Sequence, residues 1–218
     1  NCSALIGPTT KLEFRNLFDQ VGENRTTART GRNLEEGFDV RNYAYQYTER
    51  TIYSGQLHGS HDLMKDRTHA DWTLGYGRAW SKEPDFRRVR TVRNIGATDA
   101  PYQVVIAPTA STLDAGRFYS DLNESTYTGK LDLSHDLGKE DAKFKATIRA
   151  GGMAERKERD FSARWMSFKK ANTGQFDNSL GLLPLDEIFA DANINGTTGF
   201  KLEEGTNPSD RYTASNTL

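Results

Sequence analysis

Cysteine is almost absent from this sequence: Cys2 stands alone, so no internal disulfide can form, and no Cys/His set has the spacing of a zinc site. An excess of charge of either sign is also missing. Lysine and arginine number 29 against 30 acidic residues, a formal net charge of −1, so no global field recruits nucleic acid or an anionic membrane surface. No apolar run is long enough for a transmembrane helix, and no helical period persists. There is no phosphate loop and no Gly-x-Ser-x-Gly elbow, and Asp177, Asp186, Glu187 and Asp191 lack the regular spacing of a calcium loop. The expectation is a protein that is not an enzyme and has no cofactor, no metal and no nucleic-acid partner. A polar average still leaves one membrane class open, because a transmembrane strand is apolar at only half of its positions. The chain opens at Asn1 without an initiator Met or a signal peptide and reads as a piece of something larger.

What is present is a period of two. From Tyr43 to Leu63 the odd positions carry Tyr43, Tyr45, Tyr47, Tyr53, Leu57 and Leu63, while the even ones carry Gln46, Thr48, Arg50, Gln56, His58 and Ser60. Such alternation is a strand with one apolar face and one wet face. Strands of soluble domains usually run about 5 or 6 residues, so a ribbon this long suits a barrel wall with aromatic residues at the membrane boundary. The segment Gly55–Leu63 recurs as Gly129–Leu137, with Gly, Leu, Ser, His, Asp and Leu kept in place. Convergence of strands that end at the same wall explains this better than a duplicated binding site.

In chain order, Asn1 to Ile6 alternate up to a turn at Gly7-Pro8-Thr9-Thr10, and Lys11 to about Val21 form the next strand. Gly22 to Asn42 reads as a solvated loop or as strand extended beyond lipid. The Tyr43–Leu63 strand ends at a short turn, Met64 to Ala70, and Asp71 to Lys82 is its return strand. Glu83-Pro84-Asp85 closes that strand, and the residues up to Ser125 read as a long outer loop with a basic cluster, Arg87, Arg88, Arg90 and Arg93. Tyr127 to Leu137 is followed by a short turn, Gly138-Lys139-Glu140-Asp141, and by a strand from Phe144 as far as Phe168. From Asn172 the chain is loop again, with a short helix expected over Pro184 to Ala192. The order is strand, short turn, strand, long connection, three times over, which is the topology of a transmembrane β-barrel. Six strands cannot close a barrel, since the smallest need about eight. The expected fold is all-β: an incomplete segment of an antiparallel transmembrane β-barrel with long extracellular loops, the whole chain belonging to one barrel domain.

Several stretches carry a family resemblance. Tyr45-Gln46-Tyr47-Thr48-Glu49-Arg50-Thr51, Asp71-Trp72-Thr73-Leu74-Gly75-Tyr76-Gly77-Arg78-Ala79, Glu83-Pro84-Asp85-Phe86-Arg87-Arg88, Glu155-Arg156-Lys157-Glu158-Arg159-Asp160-Phe161-Ser162-Ala163-Arg164 and Pro208-Ser209-Asp210-Arg211-Tyr212-Thr213-Ala214-Ser215-Asn216 together resemble the barrel of Bacteroidota-type TonB-dependent outer-membrane receptors. The resemblance implies a barrel of twenty-two strands around an N-terminal plug, in the bacterial outer membrane, that takes up a scarce extracellular ligand with energy passed through TonB. It implies the TonB complex as partner through a plug outside this sequence, outer-membrane lipid around the wall, and a surface lipoprotein partner. The ligand stays open among siderophore, glycan, peptide and cobalamin.

Parity then sorts the faces. Arg50, Gln56, His58, Lys130, Asp132, Arg149, Glu155 and Lys157 are the lumen-facing candidates, which touch a plug or line the ligand's route, or form a hydrated wall paired with neighbouring strands. Tyr53, Leu57, Trp72, Leu74, Tyr76, Leu131, Leu133, Phe144 and Ile148 are the lipid-facing candidates. Ligand specificity is expected in the loops Glu83 to Ser125 and Asn172 to Asn207, where Arg87, Arg88, Arg90 and Arg93 are the ligand-contact candidates. His58 and His61 point to opposite faces and cannot chelate one ion, and His61 and His135 fit a headgroup girdle. The competing reading is a soluble extracellular β-rich binding or adhesion module.

Overall fold

The computed structural model describes residues 1–64, 67–137 and 146–218. Among the described residues nine strands form one antiparallel sheet: β1 (Cys2–Ile6), β2 (Thr10–Asn33), β3 (Phe38–Leu63), β4 (Thr68–Asn94), β5 (Gln103–Val104), β6 (Gly116–Leu137), β7 (Ala146–Lys170), β8 (Phe200–Glu204) and β9 (Arg211–Thr217). Their order is β1-β2-β3-β4-β6-β7-β8, with β5 beside β4 and β9 beside β7, and the sheet does not close on itself.

Five strands dominate. β2, β3, β4, β6 and β7 have 24, 26, 27, 22 and 25 residues, which at about 3.4 Å per residue makes ribbons roughly 75–90 Å long. Of the two readings of Gly22 to Asn42, solvated loop or extended strand, the structure has strand, except for a tight turn, Leu34–Gly37, in which Gly37 takes the left-handed conformation at φ 76°. Glu83 to Ser125 is not one long loop: β4 runs on to Asn94 and β6 starts at Gly116. The basic cluster Arg87, Arg88, Arg90 and Arg93 therefore sits on a strand. Nor do Pro184 to Ala192 make a helix. Ile188 N–H and Glu187 N–H both donate to Pro184 O, a single turn followed by a 3-10 turn at Asp191–Asn193. The Asn193 side chain donates to Glu187 O at 2.9 Å and Ile188 O at 3.2 Å, occupying carbonyls that a continuing helix would use. The turn expected at Gly138–Asp141 and the candidate Phe144 lie outside the described residues.

Pro84 explains why β4 looked finished at Glu83. The β3–β4 register jumps between Tyr45/Arg87 and Glu49/Lys82, and the β4–β6 register jumps between Glu83/Ser120 and Phe86/Phe118. Both jumps place one extra residue in β4, a bulge at Pro84–Asp85, where a residue without N–H interrupts no ladder bond. The bulge changes the parity of β4. Below it Trp72, Leu74, Tyr76 and Lys82 share a face; above it Arg87, Val89 and Arg93 do.

Among the described residues a conventional core exists only at one end. Val104, Ala115, Phe168, Phe176, Ile188 and Phe200 are buried together, with Val89, Ile106, Leu180, Leu183 and Phe189 packed against them. This cap is made from the segments 95–115 and 171–199 and sits over the ends of β4 and β7. Phe200 is 0% and Ile188 1% exposed. The rest of the sheet is open on both faces.

Candidate functional site

Directly opposed residues of an antiparallel pair lie on the same face, so the registers define the surfaces of the sheet. One face, from the short-turn end upward, carries the rows His61–Thr10–Ala70–Leu133–Ala150, then Gly59–Leu12–Trp72–Leu131–Gly152, then Leu57–Phe14–Leu74–Gly129–Ala154, then Gly55–Asn16–Tyr76–Tyr127–Arg156. Tyr53 and Phe18 follow, opposed to each other and to Arg78. The eight lipid-facing candidates among the described residues, Tyr53, Leu57, Trp72, Leu74, Tyr76, Leu131, Leu133 and Ile148, stand on this face. Leu12, Phe14, Phe18 and Tyr127 join them; the alternation of the first three marks the Lys11–Val21 strand in the sequence, and the lipid-facing set drawn from it lacked all four. The belt is exposed, with Leu74 56% and Ile148 57% accessible.

Aromatic side chains mark both limits of the belt. At the upper limit Tyr53 meets Tyr76 at a centroid distance of 6.3 Å, and Tyr76 meets Tyr127 at 5.4 Å. At the lower limit Trp72 stacks beside His61 and donates its indole N–H to His61 Nε2 at 2.8 Å. The recurring motif acquires a structural role here. His61 Nδ1 lies 3.2 Å from Thr10 Oγ1 and His135 Nδ1 lies 2.8 Å from Thr68 Oγ1. Asp62 N–H donates to Thr9 O, and Asp136 N–H to Arg67 O. Each copy clasps its hairpin to the preceding one through the same two contacts.

The other face is polar over the same rows. Arg50, Gln56, His58, Lys130, Asp132, Arg149, Glu155 and Lys157 all lie on it, as their opposed partners Ser81, Gly75, Thr73, Gly151, Ser134 and Thr128 require. They form no single cluster. Lys130 pairs with Asp132 at 2.6 Å, Lys157 with Glu124 at 3.6 Å, and His58 Nδ1 with Thr73 Oγ1 at 3.2 Å. Lys11 and Arg15 flank Glu13 on the same face. Asp71 and Asp132 are directly opposed, and Gly151 faces Asp132 because a Cβ there would collide with its carboxylate and with Leu131 O. His58 and His61 stand on opposite faces, and among the described residues no group of three or more His, Cys, Asp or Glu could hold a metal ion.

Above the belt the wall is held by ion pairs. Arg117 takes Asp85 through two hydrogen bonds, 3.0 and 2.7 Å, and Arg87 reaches the same carboxylate at 2.6 Å. Burial pushes the Asp85 carboxyl up, but the two guanidinium groups prevail and hold it below the usual range. Asp39 is likewise lowered by its bonds to Arg32 and Arg93. Arg90 pairs with Asp114 at 3.2 Å, and Arg88 lies over the Phe86 ring at 4.7 Å. The four arginines expected on a loop are thus strand residues, partnered by Asp85, the Phe86 ring, Asp114 and Asp39 in turn.

A cleft of about 580 Å3 opens where the cap meets the sheet, lined by Tyr45, Arg87, Arg88, Val89, Arg117, Phe168, Leu185, Asp186 and Phe189 among others. Tyr45, Arg87, Val89 and Arg117 are placed there on the belt's face by the registers of β3, β4 and β6. Of these residues the sequence reading had singled out only Arg87 and Arg88 as ligand contacts. Phe168 and Phe189 are brought together by the cap, a pairing across 21 positions that no local pattern announces. No protein-family model, no curated protein and no solved structure matches this chain.

Proposed function

We propose that this chain is a length of outer-membrane β-barrel wall from a TonB-dependent receptor, a transporter that takes up a scarce extracellular ligand. One observation carries the reading: an apolar belt on one face only, bounded by tyrosines at one limit and by a Trp–His pair at the other. From Tyr53 to Leu63 the belt's height along β3 matches the ~9–11 residues with which a tilted strand crosses a bilayer. A soluble sheet would cover such a belt with a second layer, and among the described residues the buried core lies away from it, at the cap. The charged opposite face fits a hydrated lumen, and the ion-paired upper strands fit a wall that rises beyond the lipid. The TonB link, the plug and the surface lipoprotein rest on the resemblance described for the sequence.

The test is a paired cysteine scan on a Cys2→Ser background in lipid vesicles. Fluorophores at Leu57, Leu74 and Leu131 should be quenched by lipid-borne nitroxide and shielded from iodide. Those at Gln56, Thr73 and Lys130 should show the reverse. Equal iodide access on both faces, with full solubility in detergent-free buffer, would refute the barrel and support a soluble binding module.

A further inference from the structure

The cleft at the cap carries charges that the wall does not neutralise. Arg117 and Arg87 share the single carboxylate of Asp85, which leaves a local surplus of one positive charge. Arg88, which lies over the Phe86 ring and also lines the cleft, keeps its charge and adds to that surplus. Asp186, from the cap segment 171–199, lines the same cleft and enters no hydrogen bond or ion pair among the described residues. The same cleft also has an apolar floor. Phe168 and Phe189 stack at 4.2 Å and 11°, and Val89, Leu185 and Tyr45 extend the surface. The volume of about 580 Å3 falls within the ~300–1,000 Å3 of small-molecule sites.

We propose that this cleft binds a zwitterionic amino acid or short peptide with an apolar side chain. The ligand carboxylate takes the free N–H groups of Arg87 and Arg117, its ammonium group faces Asp186, and its side chain lies on the Phe168–Phe189 floor. A simple anion leaves Asp186 opposing it, and a simple cation meets the arginine pair. A neutral apolar molecule desolvates both charges without pairing either. Only a ligand with both charges and an apolar body satisfies all three parts. The site belongs to the cap and the upper strands, so it stands independently of whether the belt meets lipid.

Calorimetry on the full chain tests the proposal with three probes: L-phenylalanine, 3-phenylpropionate, which lacks the amine, and phenylalaninamide, which lacks the carboxylate. Phenylalanine should bind at least ten times more tightly than either analogue. Asp186→Asn should abolish its advantage over phenylpropionate, and Arg87→Gln its advantage over phenylalaninamide. Arg87 is chosen because the bidentate Arg117–Asp85 pair remains when it is lost. Asp186→Asn, on an exposed turn, provides the second variant should Arg87→Gln fail to fold. Equal binding of the three probes, or no binding of any by chain with its native strand signal in circular dichroism, overturns the proposal. Neither result alters the outcome of the cysteine scan.

Discussion

Trp72 lies flat across Gly59, its directly opposed residue on β3, and from that position its indole N–H reaches His61 Nε2 at 2.8 Å. The donor fixes the imidazole: Nε2 must accept, so the ring proton sits on Nδ1 and is offered to Thr10 Oγ1. Glycine is required underneath, because a Cβ at position 59 would fall inside the van der Waals envelope of the indole.

Gly59→Val should therefore lift Trp72 off the sheet and break its bond to His61. A strain of about 1–3 kcal/mol is expected from overfilling the site. The check is tryptophan emission of a Trp80→Phe, Trp165→Phe background, which should shift and broaden. An emission identical to that of the parent would show that Trp72 does not rest on Gly59.

Leu74 stands mid-belt between Trp72 and Tyr76 on the apolar face. Leu74→Arg should lower stability by about 2–4 kcal/mol if that face meets lipid. Thr73→Arg, one residue away on the polar face, should change it by less than about 1 kcal/mol. Urea titration in vesicles separates the two, and full tolerance at both positions would count against a lipid-facing belt.

Acid should loosen the upper wall before the belt. The Asp85 carboxyl is depressed in the folded state, so its contribution is present above the ordinary carboxylate pKa near 4 and is lost as pH falls through the folded value. Asp85→Asn should weaken this acid limb, leaving the share that depressed Asp39 supplies. At neutral pH it should lower stability by about 1 kcal/mol, discounted for partial exposure. Denaturation followed at pH 7 and pH 3 reads both effects.

Phe200 is the best-buried side chain of the cap. Phe200→Ala should cost about 3–5 kcal/mol there, enough to open the segment 171–199 locally while the sheet persists. Limited proteolysis should cut the variant between 171 and 199 and leave the long hairpins intact. Cleavage spread evenly along the chain would mean that cap and wall unfold as one unit.

The lower half of the sheet was readable because lipid-scale alternation imposes period two on one face and polar residues on the other: Leu57 against His58, Leu74 against Thr73, Leu131 against Lys130. The upper half hid because its strands are held by main-chain bonds and ion pairs such as Arg117–Asp85 and Arg32–Asp39, which leave both columns polar. Pro84 looked like a stop, yet a bulge accommodates it. The cleft was invisible for another reason: Tyr45, Arg87, Phe168 and Asp186 come from three strands and a turn, and only the cap's packing brings them together.

The extra residue at Pro84–Asp85 also sets a rule for how this wall tolerates changes in length. Removing one residue there would turn Arg87, Val89 and Arg93 over to the opposite face and separate Arg93 from Asp39 and Val89 from the cap. Adding two residues to the native chain would keep every side chain on its own side. At this point of the chain the oddness of an insertion or deletion matters more than its size.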